Sequence, residues 1–142
     1  MREKFKERFI IGPSTINPVS PDEKLLKKLL DYVDERISDP DLSIEDICLN
    51  VGISRTQLYR KIKALTDLSM AEMIKKMRLR RAQQLLTDKK FNVTESCFMT
   101  GFTDTSYFRK CFKVEFGVSP SDYAKGLLKE LEAPKVIDQT DT

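Results

Sequence analysis

The sequence predicts an all-α fold of about seven helices with short connections. Three observations predict it. Apolar residues recur at helical spacing through most of the chain, and no convincing strand appears, Ile10-Ile11 being too short. Six Ser or Asn residues are each followed three positions later by Asp, Glu or Gln, a signature of helix starts. The chain also repeats itself: IEDICLNVGISRTQLYRKI over Ile44–Ile62 is answered by VTESCFMTGFTDTSYFRKCF over Val93–Phe112.

Residues 1–19 read as a linker or the end of a preceding region. Lys4 to Phe9 suits a turn or two of helix, and Gly12-Pro13 breaks it. Ser20-Pro21-Asp22-Glu23 then supplies an N-cap, a proline at the first helical position and acids at the positive end of the helix dipole. Leu25, Leu26, Leu29, Leu30, Val33 and Ile37 continue that helix to about Ser38, and Asp39-Pro40-Asp41 stops it. Ser43 and Asp46 open the second helix, which buries Ile44, Ile47, Cys48 and Val51 and ends at Gly52. Ser54 and Gln57 open the third, to about Leu65.

The fourth is the long one, opened by Ser69 and Glu72. Its apolar positions are Met73, Ile74, Met77, Leu79, Ala82, Leu85 and Leu86. Asn92 and Glu95 open the fifth, which ends at Gly101. Thr103 or Asp104 caps the sixth, which ends before Gly117. Ser119-Pro120-Ser121-Asp122 starts the seventh, which ends before Pro134, and the final VIDQTDT reads as frayed.

The repeat aligns at an offset of 49 for Ile44/Val93, Cys48/Cys97 and Gly52/Gly101. It aligns at 50 for Leu58/Phe108, Ile62/Phe112 and Ser69/Ser119, so the second turn holds one added residue. Each copy is a short amphipathic helix, a glycine-centred turn and a second helix. That is the layout of a helix-turn-helix, whose second helix can enter a DNA major groove. Residues 20–125 therefore divide into a first unit (20–68), a linker helix (69–88) and a second unit (89–125), with 126–142 as a helix end and tail.

Composition narrows the function. There is no histidine, no glycine-rich phosphate loop and no paired nucleophile and base, so an enzyme is not expected. Three cysteines match no zinc spacing; Cys48 and Cys97 share a repeat slot and read as buried small hydrophobes, so no metal or cofactor is expected. An odd cysteine count, no signal peptide and no apolar run of membrane-spanning length point to the cytoplasm, without direct membrane contact. No heptad seam is present, so a monomer is expected. The net charge of +3 hides an asymmetry: residues 20–54 carry four basic and nine acidic side chains, while 55–90 carry eleven and three. Such a basic excess is a footprint for a polyanion.

In the first unit Leu58, Ile62 and Leu65 form the buried seam of the second helix. Arg55, Thr56, Tyr59, Arg60 and Lys63 remain outside. Arg60 is the best candidate for base reading, because a guanidinium can grip guanine O6 and N7 together. Thr56 suits a thymine methyl or a phosphate. Tyr59 fits either stacking or partial burial beside Leu58. Lys61 and Lys63 suit phosphate, as does Arg55.

In the second unit Phe108, Phe112 and Phe116 form the seam, leaving Thr105, Ser106, Arg109, Lys110 and Lys113 outside. Arg109 and Lys110 are candidate readers, Thr105 and Ser106 suit phosphate or water-mediated contacts, and Lys113 suits the backbone. Residues 91–123 hold three basic and four acidic side chains, so the first unit is expected to supply more of the affinity. Lys75, Lys76, Arg78, Arg80 and Arg81 decorate the linker helix, most of them read as solvated surface.

Gly101-Phe102, Ser106-Tyr107-Phe108, Phe112-Lys113, Phe116-Gly117, Ser119-Pro120 and Tyr123, with RLRRAQQLL at Arg78–Leu86, resemble the AraC/XylS family of bacterial transcription regulators. The resemblance covers about Leu25 to Tyr123. It implies two helix-turn-helix subdomains joined by a long helix, with Thr56, Tyr59 and Arg60 reading bases in the first and Thr105, Ser106, Arg109 and Lys110 in the second. The implied partners are duplex DNA at a promoter or operator, with RNA polymerase a further candidate, and no small-molecule ligand.

Asp67 and Met70 stand where the family usually has Gly and Pro, and Ser96 stands at a usually aliphatic position. Thr100 is also polar, and a buried hydroxyl without a partner would loosen the second unit. The leader and SPDEKLLKKLLDYVDERISDPDLS resemble the junction after a receiver domain in hybrid two-component regulators. That implies an upstream receiver domain, a fragment of a longer chain, and a full-length protein anchored in the inner membrane. The rival readings are a helical protein-interaction module and a nonspecific DNA binder; only DNA binding weakens steeply with salt.

Overall fold

The computed structural model describes residues 20–132. The expected linker over 1–19 and the tail over 133–142 lie outside the described residues. Seven helices follow in order: α1 Pro21–Glu35, α2 Ile44–Val51, α3 Arg55–Thr66, α4 Met70–Asp88, α5 Val93–Met99, α6 Thr105–Phe116 and α7 Pro120–Glu132. No strand occurs among the described residues. The fold class is the one the sequence predicts.

The caps explain most boundaries. Ser20 and Ser43 accept from the backbone N–H of Glu23 and Asp46, each at 3.1 Å. Ser54–Gln57, Ser69–Glu72 and Asn92–Glu95 close both halves of a capping box. In the second of these the backbone N–H of Ser69 donates to the Glu72 carboxylate and holds its pKa below the usual value. Asp104, rather than Thr103, caps α6 by accepting from the N–H of Ser106 and Tyr107.

Helix α1 stops at Glu35, three residues before the predicted end, because Arg36 leaves helical geometry. Ile37 is nonetheless buried, so its place in the apolar series reflects the turn that follows. Asp67 ends α3 in the left-handed region at φ 64°, a backbone conformation that favours glycine.

Two cores form, and α4 belongs to both. Met70, Met73, Ile74 and Met77 pack with α1, α2 and α3. Leu79, Ala82 and Leu86 pack with Cys97, Phe102, Phe108, Cys111 and Phe112. At about 100° per residue these two sets lie roughly 160° apart around the helix axis. The two units thus occupy opposite sides of one rod, one after the other along it.

The cores differ in chemistry. The first is aliphatic. The second is a chain of rings: Phe102, Phe108, Phe112 and Phe116 stack in tilted contacts with centroids 4.6–5.8 Å apart, and Tyr123 meets Phe112 edge-on. Ser96 and Thr100 occupy the slots of Ile47 and Val51 in the first unit, and both are fully buried. Thr100 donates its hydroxyl to the carbonyls of Ser96 and Cys97. The Ser96 hydroxyl has no hydrogen-bond partner among the described residues. Replacing it by a methyl removes an unmet polar group, so Ser96→Ala should raise the unfolding free energy by about 1 kcal/mol. Urea titration with an unchanged m-value checks this, and a destabilised variant would mean the hydroxyl is bonded in solution.

Candidate nucleic-acid interface

Helices α3 and α6 each bury one side and leave the other to solvent. In α3, Leu58 and Ile62 are buried and Leu65 is packed against the same core. Thr56, Arg60 and Lys63 lie opposite that seam and are exposed. Tyr59 is 58 % exposed, at the edge of the same outer face.

Arg55 and Lys61 lie on the two flanks, and each meets an acid of a neighbouring helix. Arg55 pairs with Glu45 of α2, and Lys61 Nζ donates to Asp22 Oδ1 of α1 at 2.8 Å. Lys63 Nζ reaches the Asp67 carbonyl at 3.3 Å, at the negative end of its own helix. These pairs are solvent-exposed, worth about 0–1 kcal/mol each, so a phosphate can compete for either cation.

In α6, Phe108, Cys111 and Phe112 are buried. Ser106, Arg109, Lys110 and Lys113 are exposed. Thr105 is half-buried at the flank, in the register of Arg55. The offset of 50 therefore matches Thr56 with Ser106, Tyr59 with Arg109, Arg60 with Lys110 and Lys63 with Lys113. Arg60, Lys110 and Lys113 have no acidic partner among the described residues. Arg109 lies within electrostatic reach of Cys97, whose thiol burial pushes up, helped by Asp104 and opposed by Arg109. That thiol is packing, not a nucleophile. Tyr107 keeps its ring beside Phe102 and half its surface in solvent, and a hydrogen bond with Cys111 raises its hydroxyl pKa.

Three of the five linker-helix cations depart from the reading of solvated surface. Lys76 Nζ donates to Glu115 of α6 at 2.8 Å, and Arg81 Nη2 to Asp34 of α1 at 3.1 Å. Arg78 donates from Nε to the Ile37 carbonyl at 3.3 Å and from Nη2 to the Asp39 carbonyl at 2.8 Å. Sequence reasoning missed these ties. The available signal was the switch of apolar face between Met77 and Leu79.

Among the described residues no helix is long and apolar enough to cross a membrane, and no group of cysteines and acids is placed to hold a metal.

The family model of a helix-turn-helix domain matches residues 47–126. The chain is 37 % identical over 123 residues to histidine kinase P4 of Formosa agariphila, a match covering 87 % of this chain but only 9 % of that protein's length. Its fold matches an AraC-type transcriptional regulator from Chromobacterium violaceum at a TM-score of 0.70 and 26 % identity, covering 74 % of this chain and 93 % of the other. It also matches the C-terminal domain of AraT, a response regulator from Geobacillus stearothermophilus, at 0.67 and 26 %, covering 78 % and 88 %.

The pairing of Arg55 with Glu45 gives a direct test of the α3 flank. Glu45→Gln removes the competing acid and should tighten duplex DNA binding by about two- to fivefold at low salt, a gain that shrinks as salt rises. Fluorescence anisotropy over a salt series measures it. Unchanged affinity would mean Arg55 stays clear of the phosphates.

Proposed function

The chain belongs to the AraC-type helix-turn-helix family of DNA-binding transcription regulators, and on that premise we propose that it reads a specific duplex sequence with both of its units. Helices α3 and α6 enter adjacent major-groove segments. The observation that carries this reading is the matched pair of outer faces, Thr56, Tyr59, Arg60 and Lys63 against Ser106, Arg109, Lys110 and Lys113, each opposite a buried seam. The nineteen residues of α4 span about 28 Å, close to the roughly 34 Å of one DNA turn.

In this reading Arg60 takes a guanine edge, with Thr56 and Tyr59 on neighbouring methyl or sugar groups. Arg109 and Lys110 read the second box, and Thr105 and Ser106 touch backbone or water at its start. Arg55, Lys61, Lys63 and Lys113 hold phosphates, which sets position without reading sequence. The first unit supplies more of the affinity, because the basic excess over 55–90 surrounds it.

We further infer an output role in a two-component regulator that acts in the cytoplasm. The likeness to a histidine kinase and to the end of a response regulator supports it, as does the small part of the kinase's length that the chain spans. An upstream receiver domain and RNA polymerase are the partners this role brings.

Selection of bound duplexes from a random pool tests the proposal. Two enriched boxes about one helical turn apart are expected. A single box would leave one unit reading, and retention without enrichment would leave a nonspecific binder. On the selected site Arg60→Ala should cost about 1–3 kcal/mol and relax discrimination at one base pair. Arg109→Ala should cost less. An unchanged sequence preference in Arg60→Ala would remove Arg60 from the readers.

A further inference from the structure

Arg78 sits at the step of α4 where burial passes from one core to the other, between Met77 and Leu79. Its half-buried guanidinium reaches back to the first unit. There it donates to the carbonyls of Ile37 and Asp39, in the connection after α1. Two backbone carbonyls outside any helix thus find their donor in one side chain.

The second unit closes on the same spot. Gly101, in the turn before α6, has φ +90°, and a Cβ there would lie 2.5 Å from the Ile37 carbonyl oxygen and 2.6 Å from Arg78 Nε. The turn backbone is thus pressed against both bonded groups. Three elements meet within one contact: the end of α1, the midpoint of α4 and the turn that aims α6.

The other ties between units are weaker. Lys76–Glu115 and Arg81–Asp34 are single ion pairs between partly exposed side chains, which water and salt screen. Among the described residues only Arg78 combines a planar fork, backbone acceptors and a glycine that admits no side chain.

We propose that Arg78 is the positioning residue that fixes the second recognition helix relative to the first, and so sets which spacing of two DNA boxes the chain accepts. This rests on the two-box reading proposed above. Removing the fork leaves both cores and the continuous α4 in place but lets the units rock about its midpoint. Base preference within each box is unaffected. If only one conformer in about ten then holds the productive setting, affinity for the preferred spacing falls about tenfold.

The experiment uses duplexes carrying both selected boxes, with the spacer shortened or lengthened by single base pairs. Each base pair turns the second box by about 35° relative to the first. Wild type should favour one spacer sharply. Arg78→Ala should lose about tenfold on that spacer and little on its neighbours, so that the profile flattens, while the salt slope stays unchanged. Gly101→Ala should flatten it with the guanidinium still present.

A uniform loss at every spacing, with the salt slope shallower by about one, would make Arg78 a phosphate contact and overturn the proposal. So would an unchanged profile. Arg78→Lys keeps the charge but replaces the rigid planar fork with a compact ammonium on a flexible stem, and serves if the alanine variant folds poorly. A wild type indifferent to spacing would defeat the two-box reading itself. Residual dipolar couplings of the free protein then judge Arg78 alone: one common alignment frame for both units in wild type and two in Arg78→Ala supports it, and one frame in both overturns it.

Discussion

Everything in this fold depends on α4 burying opposite faces in its two halves. A helix with a single apolar stripe would gather both units on one side, and they would merge into one core. Here Met70, Met73, Ile74 and Met77 look one way and Leu79, Ala82 and Leu86 the other. Each unit therefore closes its own core against half a helix, and each short helix pair needs that half, since eight- or seven-residue helices such as α2 and α5 are marginal alone. The same arrangement creates the polar strip at the midpoint. Between the two apolar faces the helix must carry residues that suit neither core, and these are the cations that cross to the other unit.

The two units carry out one plan with different materials. In the first, aliphatic side chains fill the space between α1, α2 and α3. In the second, the phenylalanines of the turn and α6 fill it with rings, and two hydroxyls replace Ile47 and Val51. Thr100 satisfies itself along its own helix, as a threonine can by bonding the carbonyl one turn back. Ser96 does not. The difference falls in α5, behind α6, so it bears on how firmly α6 is held while leaving its outer face alone.

Much of this was legible in the sequence. Helix existence, order and starts were readable because local chemistry writes them: capping residues, apolar spacing and glycine or proline stops. The outer faces of α3 and α6 were readable because a seam at i, i+4 determines what lies opposite it. The rest was hidden where it depends on residues far apart in the chain. Lys61 and Asp22 are 39 positions apart, as are Lys76 and Glu115, and Arg81 and Asp34 are 47 apart. No local pattern says that these charges meet. The end of α1 was overrun for a related reason: Ile37 is buried by the tertiary fold after the helix has stopped, and an apolar series cannot tell those cases apart.

The pairing pattern also sorts the cations on α3 by the work they can do. A base edge lies deep in the groove, so its reader must project from the middle of the outer face and arrive unencumbered. Arg60 meets both conditions, as does Lys110 at the matching position of α6. Phosphates line the groove's rims, which the flanks of a docked helix approach. Arg55 and Lys61 occupy those flanks and rest on Glu45 and Asp22 when no DNA is present. Exchanging an exposed carboxylate for a phosphate costs little, because each ion pair is weak in water. The acids of α1 and α2 thus hold the flanking cations in place, and on the proposed reading they moderate the pull of the basic surface on any duplex. On the proposed reading, discrimination is then left to the exposed residues at the centre of each outer face.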